Sequence, residues 1–321
     1  MFFSAVNKIL QRNIVAIARS RNLNADQVMD AVVRHLNSMS AEWYSGEAPN
    51  IAYEDPLCRW AYMFAHVPVQ ANLFERVIEE CARHSPSFRQ KISQSNLSMV
   101  IFGGGPGTEL LGLAKYYLKQ GKDEEASYDQ VDVDLDVIDR VGAWSENVAL
   151  VKDEISKVYT TEFGSKRSWP ALFDIHAFSF NFTELDAFGS LTTIFKRDIF
   201  VLNFVVPEVF DLDELLPIMR KMVNGCRGGA HFIFVDRSDD ITTGKIDKLI
   251  AELKLSVALR DETTGSMDTD EQKMELQEIS DFLQGKQPRL TWKAKWILAV
   301  KPKKLSVGKA GEGYRNRWLG E

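Results

Sequence analysis

The stretch MVIFGGGPGTELLGLAKYYL, residues 99–118, decides the fold. An apolar run enters a cluster of glycines and leaves as a helical pattern. Glycine permits backbone angles closed to other residues, and it removes side chains that would block an approaching group. The helix that follows presents free N–H groups and the positive end of its dipole. Such a loop is built to hold a carboxylate, a ribose or a phosphate.

Outward from this loop, strands and helices alternate. SMVIFGG (98–104) reads as a short buried strand and TELLGLAKYYLKQ (108–120) as a helix. YDQVDVDLDVID (128–139) alternates strictly through Val131, Val133, Leu135 and Val137. VGAWSENVALVKDEISKVY (141–159) puts Val141, Trp144, Val148, Val151 and Ile155 on one helical face. DIHAFSFNF (174–182), DIFVLNFVV (198–206) and AHFIFVD (230–236) are further strands, the middle one nearly all apolar and so buried on both faces. LDELLPIMRKMV (212–223) and KIDKLIAELK (245–254) are helices. LSVALRDET (255–263) and LTWKAKWILAVKP (290–302) form a late strand pair, the second alternating as an antiparallel partner would. The charged segment between them reads as loop plus helix. This order predicts an α/β fold with a doubly wound, seven-stranded, mostly parallel sheet and a late antiparallel hairpin. Ligands of such sheets lie outside the carboxyl ends of the strands, which is where the glycine loop stands.

Residues 1–96 carry no strand signal and read as an all-helical region. Val6, Ile9, Leu10, Ile14 and Ile17 recur at helical spacing, Asn24 is placed to cap a second helix, and Asp55-Pro56 opens a third. VQANLFERVIEECARH (69–84) reads as a further, separate helix. The expected organisation is a helical region at 1–96, a sheet domain at 97–304 and a basic tail at 305–321. The helical region is a candidate lid, acceptor surface or homodimer surface. The aromatic-rich YEDPLCRWAYMF (53–64) reads either as an aromatic wall over a pocket or as packing that joins helices to sheet.

The chain has 321 residues and a net charge of −6, which argues against nucleic-acid affinity for the molecule as a whole. From Trp292 onward, however, eight lysines and arginines face only Glu312 and Glu321. Trp292, Lys293, Lys295 and Trp296 interleave as in an edge strand guarded by lysines, and the tail beyond them is a candidate RNA contact. Three cysteines without CxxC spacing and five scattered histidines give no metal site. They point to a reduced, cytoplasmic setting. No apolar run reaches membrane-spanning length. Residues 1–25 are acid-free and basic, which suits a mitochondrial presequence as well as a first helix.

Spacing separates the nucleotide fingerprints. A Walker loop is missing, because Gly121-Lys122 is followed by Asp123. GxGxxG from Gly103 fails at Thr108, which weakens a nicotinamide-dependent oxidoreductase. GxGxG with an acid two residues on is met by Gly103, Gly104, Gly105, Pro106, Gly107, Thr108 and Glu109. Over roughly residues 97–304 the chain thereby resembles the Rossmann-like S-adenosylmethionine-dependent methyltransferases.

The resemblance implies S-adenosyl-L-methionine as cofactor, held at Gly103, Gly104, Gly105, Gly107 and Glu109. It implies a ribose-binding acid at the end of the second strand. Asp139 and Asp134 compete for that role, and position at the strand end favours Asp139. It places Asn181 and Phe182 beside the adenine, and it puts the acceptor near LNFVVPE (202–208), where Asn203 and Glu208 are candidates by location alone. That segment departs from the Asn/Asp-Pro-Pro-aromatic motif of nucleic-acid amino-methyltransferases. His176 and His231 sit in predicted strands and read as structural rather than as bases. The implied function is methyl transfer to a small molecule or RNA; the alternative is a catalytically inactive cofactor-binding partner.

Overall fold

In the computed structural model, residues 2–43, 51–123, 129–181, 193–206, 212–266 and 274–303 are described. Seven strands make one sheet: β1 (Asn96–Phe102), β2 (Val131–Asp139), β3 (Ala171–Ser179), β4 (Ile199–Asn203), β5 (His231–Arg237), β6 (Ser256–Ser266) and β7 (Thr291–Val300). Their order is β3-β2-β1-β4-β5-β7-β6. β1 to β5 run parallel and β7 is antiparallel to both its neighbours. This is the expected sheet, with the winding direction reversing between β1 and β4.

Strand alternation sorts side chains onto two helical layers. From β1, Met99 and Ile101 enter one core while Val100 and Phe102 enter the other. The first core takes α1 (Phe2–Arg21), α2 (Ala25–Trp43), α3 (Pro56–His84), α4 (Pro86–Ile92), α5 (Thr108–Gly121) and α6 (Trp144–Phe163). The second takes α7 (Leu212–Gly225) and α8 (Asp240–Glu252) and includes Phe200 stacked on Phe232 at 4.6 Å. α9 (Gln277–Phe282) supplies the helix expected between the last two strands.

The N-terminal helices are bound into the first core. α1 buries Phe3, Val6, Ile9 and Leu10, with Ile14 and Ile17 packed at its margin. Buried Glu154 of α6 takes Arg12 of α1 and Lys157 of its own helix. Asn24 caps α2 through a reciprocal pair with Gln27, and Asp55 caps α3 by accepting from the Leu57 N–H at 2.9 Å. α3 crosses α5 at Gly112, where any Cβ would strike the Ala71 carbonyl at 2.7 Å. Beside that crossing, buried Glu75 pairs with Lys115 and Lys119 of α5. α3 is thus fixed to the helix that leaves the glycine loop.

Two local expectations are corrected. The helices expected on either side of Val67-Pro68 are one helix, α3, with Pro68 inside it. A proline in a helix interior costs about 3 kcal/mol. Burial of Phe64, Val67, Val69 and Leu73 around it outweighs that cost, and the Ala65 carbonyl next to the break accepts the Arg289 N–H at 2.9 Å. The third strand spans 171–179 rather than 174–182, because Ala171, Leu172 and Phe173 already pair with Val131, Asp132 and Val133 of β2.

Candidate functional site

The glycine loop turns through three positive-φ residues, Gly103 (62°), Gly105 (46°) and Gly107 (87°), which a side chain would strain. The four glycines serve different ends. A Cβ on Gly103 would strike Val205 at 2.4 Å and one on Gly104 would strike Val137 at 2.6 Å, so these two allow the loop to pack on the sheet. A Cβ on Gly105 meets only Trp144, at 3.9 Å. Gly105 is therefore a loop position where an added Cβ would make only ordinary van der Waals contact.

Asp139, the last residue of β2, fixes that loop. One carboxylate oxygen accepts the Gly105 N–H at 2.9 Å and the other accepts the Val141 N–H at 2.9 Å. Burial raises its pKa, while these two N–H bonds oppose the rise. Asp134 is elsewhere: it stands on the opposite face of β2, in an ion pair with Arg197, which also grips buried Asp136 at 2.7 and 2.8 Å. Of the two competing acids, Asp139 is the one at the loop.

A cavity of about 100 Å³ opens beside it, lined by Gly105, Asp139, Trp144 and Phe178 among others. The Phe180 N–H donates to the Asp139 carbonyl at 3.0 Å, which brings half-buried Asn181 to the end of β2. Phe182 and Glu208 lie outside the described residues, as does the basic tail at 305–321.

At the neighbouring end of β4, Asn203 is buried and donates from Nδ2 to Oε1 of Glu109, in the first turn of α5. Glu109 is 3% exposed, and burial pushes its pKa up to about 7. Its Oε2 and the Oδ1 of Asn203 are buried without hydrogen-bond partners. Phe204, next in the chain, has φ 55°, a left-handed backbone rare for a residue with a side chain. Such strain persists where the surrounding structure imposes it and often marks a working site.

The aromatic run 53–64 is chiefly packing, with Tyr62 its half-buried aromatic. Trp60 and Phe64 are core, and the Trp60 indole donates to the Leu10 carbonyl at 2.8 Å. Tyr53, also buried in that core, and half-buried Tyr62 lie 5.5 and 5.6 Å from buried Trp144, with the buried Arg59 guanidinium 5.9 Å over the same ring. Tyr62 also lies against His66, the rings tilted by 36° with centroids 5.2 Å apart; burial and nearby Arg289 lower the His66 pKa to about 3, so the imidazole is neutral. Sequence reasoning placed Trp144 in a helix face and passed over His66; adjacency to the loop depends on how α3 lies across α5 and α6. His231 stands at the amino end of β5, buried near Ser87 at 3.2 Å, and His176 lies between Asp134 and Asp174, so neither is at the loop.

Sheet order, glycine loop and strand-end acid define the class of Rossmann-like S-adenosylmethionine-dependent methyltransferases. A family described as "Putative SAM-dependent methyltransferase" matches residues 24–295, and the chain belongs to that family. It is an S-adenosylmethionine-dependent methyltransferase, and S-adenosyl-L-methionine is its cofactor. No curated protein matches the chain. Among solved structures it is similar to the N-methyltransferase NodS from Bradyrhizobium japonicum WM9 in complex with S-adenosyl-L-homocysteine. That match has 13% identity and a TM-score of 0.40 over 84% of this chain and 99% of that one. It is also similar to an O-methyltransferase family protein from Burkholderia thailandensis, with 10% identity and a TM-score of 0.44 over 86% and 73%. A third is a SAM-dependent methyltransferase from Methanosarcina mazei, with 12% identity and a TM-score of 0.39 over 67% and 97%. Among the described residues, no helix is long and apolar enough to cross a membrane.

Proposed function

We propose that this methyltransferase holds its cofactor across the carboxyl ends of β1 and β2 and receives its acceptor from the side of α3. The observation that carries this reading is Asp139. Its two oxygens are aimed by the Gly105 and Val141 N–H groups, and each keeps lone-pair capacity for a ribose hydroxyl. The adenosine then occupies the cavity between Trp144 and Phe178, with Asn181 at its rim. Gly105 lets the cofactor pass close to the backbone. When bound, S-adenosylmethionine supplies an activated methyl group on a sulfonium, so the chain's work is chiefly positioning.

On the α3 side, Tyr53, Trp144 and Arg59 form a buried cluster, and the half-buried Tyr62 ring is its part-exposed member. The Tyr62 ring suits stacking of a planar group of a small molecule or of RNA. The helical region 1–96 thus acts as the acceptor surface of the 97–304 domain. Buried, unbridged Cys58, Cys81 and Cys226 support a reducing, cytoplasmic setting.

Calorimetric titration with S-adenosylmethionine, S-adenosylhomocysteine and NADH tests the reading. The first two should bind in the micromolar range, on the order of 1–100 µM, and NADH should not. Binding of NADH alone, or of none of the three, would overturn it.

A further inference from the structure

Arg289, just before β7, is anchored without being neutralised. Its backbone N–H donates to the Ala65 carbonyl of α3 at 2.9 Å, and its Nε donates to the Thr291 carbonyl at 3.1 Å. The residue is exposed, and among the described residues no carboxylate pairs with it. Neighbouring cations serve the fold: Arg59 donates to the carbonyls of Tyr53 and Glu54, and Lys115 pairs with Glu75. An arginine held at Nε has given up rotamer freedom that a solvated one keeps. That ordering lowers the cost of meeting an anion with the terminal nitrogens of the fork.

β7 runs antiparallel to β5, and Ala294 pairs with Arg237, the last residue of β5. Arg289 precedes Ala294, so it lies beyond the carboxyl ends of the parallel strands, on the side where the glycine loop stands. It is tied there beside His66, which burial and the Arg289 charge keep neutral, so the guanidinium is the charge at this place. His66 and Tyr62 are one helical turn apart on α3, with ring centroids 5.2 Å apart. The Tyr62 hydroxyl donates to Gln70 Oε1 at 3.1 Å, and its ring stands 5.6 Å from Trp144, which lines the cavity beside Asp139. A half-buried ring and an unpaired cation thus flank one stretch of α3, residues 62–66, at the glycine-loop end of the sheet.

We propose that Arg289 is a specificity-determining residue for methyl transfer, which holds an anionic group of the acceptor, a carboxylate or a phosphate, while the acceptor's planar part stacks on Tyr62. This rests on the acceptor side proposed above and adds to it the charge which that side selects. An acceptor that lacks the anion keeps the stacking and loses the charge-assisted pair. Lysine at this position keeps a point charge but not the planar fork, so it recovers only part of the selection.

The test uses the full chain saturated with S-adenosylhomocysteine, so that no probe enters the cofactor cavity. Benzoate against benzamide, and cytidine 5′-monophosphate against cytidine, compare the same planar group with and without an anion. Each is titrated into wild type, Arg289→Lys, Arg289→Gln and Tyr62→Ala. Wild type should hold an anionic probe about tenfold or more tightly than its neutral counterpart. Arg289→Gln should erase that preference, Arg289→Lys should keep part of it, and Tyr62→Ala should weaken both members of the pair alike. The S-adenosylhomocysteine affinity of Arg289→Gln should stay that of wild type, because the bond to Ala65 is made by the backbone. A preference for benzoate alone identifies a small acid as acceptor, and one for the nucleotide alone identifies a phosphate; either supports the proposal.

Equal affinity within each pair in wild type, or no binding of any probe, overturns it. A preference that survives intact in Arg289→Gln also overturns it, since the anion is then read elsewhere. These failures differ from those of the underlying reading, in which wild type does not bind S-adenosylhomocysteine or Tyr62→Ala leaves every probe unchanged.

Discussion

Two carboxylates at opposite ends of the parallel strands differ in how far the protein itself satisfies them. Asp198, at the amino edge, is satisfied from within: Lys91 and Ser98 each donate at 3.0 Å and Gln94 at 3.3 Å. Glu109, at the carboxyl edge, has one oxygen bonded to Asn203 and the other bare. The larger cavity is on the wrong side of this comparison. About 1010 Å³ lies at the amino edge, lined by Lys91, Ser98 and Asp198 among others, against about 100 Å³ beside the glycine loop. Volume alone would point to the amino edge. Open backbone at Gly105, the aimed carboxylate of Asp139 and the bare oxygen of Glu109 point to the other, and in doubly wound sheets the carboxyl edge is where ligands bind.

The largest effect tests the scaffold acids. Arg197→Ala leaves Asp136, 1% exposed, buried without its cation. Breaking a buried pair in this way costs roughly 3–5 kcal/mol, measurable by chemical denaturation. Cofactor affinity of the surviving folded protein should stay within about twofold, since Arg197 touches nothing in the loop.

Gly105→Val acts oppositely. It should weaken S-adenosylhomocysteine about 100-fold or more in calorimetry, while its left-handed backbone costs roughly 1–2 kcal/mol of stability. Normal binding by this variant would break the comparison, since the proposed cofactor site runs along the Gly105 backbone.

Glu109 makes a pH prediction of fixed sign. Its folded-state pKa is about 7, above the ordinary 4.5. Between those values the folded chain holds a proton that the unfolded chain releases, so stability is present at low pH and is lost as pH rises through about 7. Urea denaturation at pH 5 and pH 8 should show wild type losing roughly 2–3 kcal/mol relative to Glu109→Gln. A flat difference would mean that the carboxyl ionises as freely as in water.

The smallest effect is at Asp198. Replacing it by asparagine keeps most acceptors and should cost about 1 kcal/mol with no change in cofactor binding.

The sheet was legible in the sequence because strand alternation and glycine punctuation are local signals. Met99 and Ile101 against Val100 and Phe102 already separate the two cores. That Asp139 rather than Asp134 lies at the loop was legible because it ends the strand, whereas Asp134 lies mid-strand and takes Arg197. Pro68 misled, since the burial that keeps α3 continuous is tertiary. The Glu109–Asn203 pair and the meeting of Tyr53, Tyr62 and Trp144 were not legible either. Each needs segments far apart in the chain to be packed together before the chemistry appears.

The most direct measurement is an experimental structure of the full chain with S-adenosylhomocysteine bound. The account predicts the ribose on Asp139, the adenine in the cavity between Trp144 and Phe178, and the backbone of Gly105 in contact with the ligand. Electron density for the ligand in the amino-edge cavity, beside Lys91 and Asp198, would contradict it.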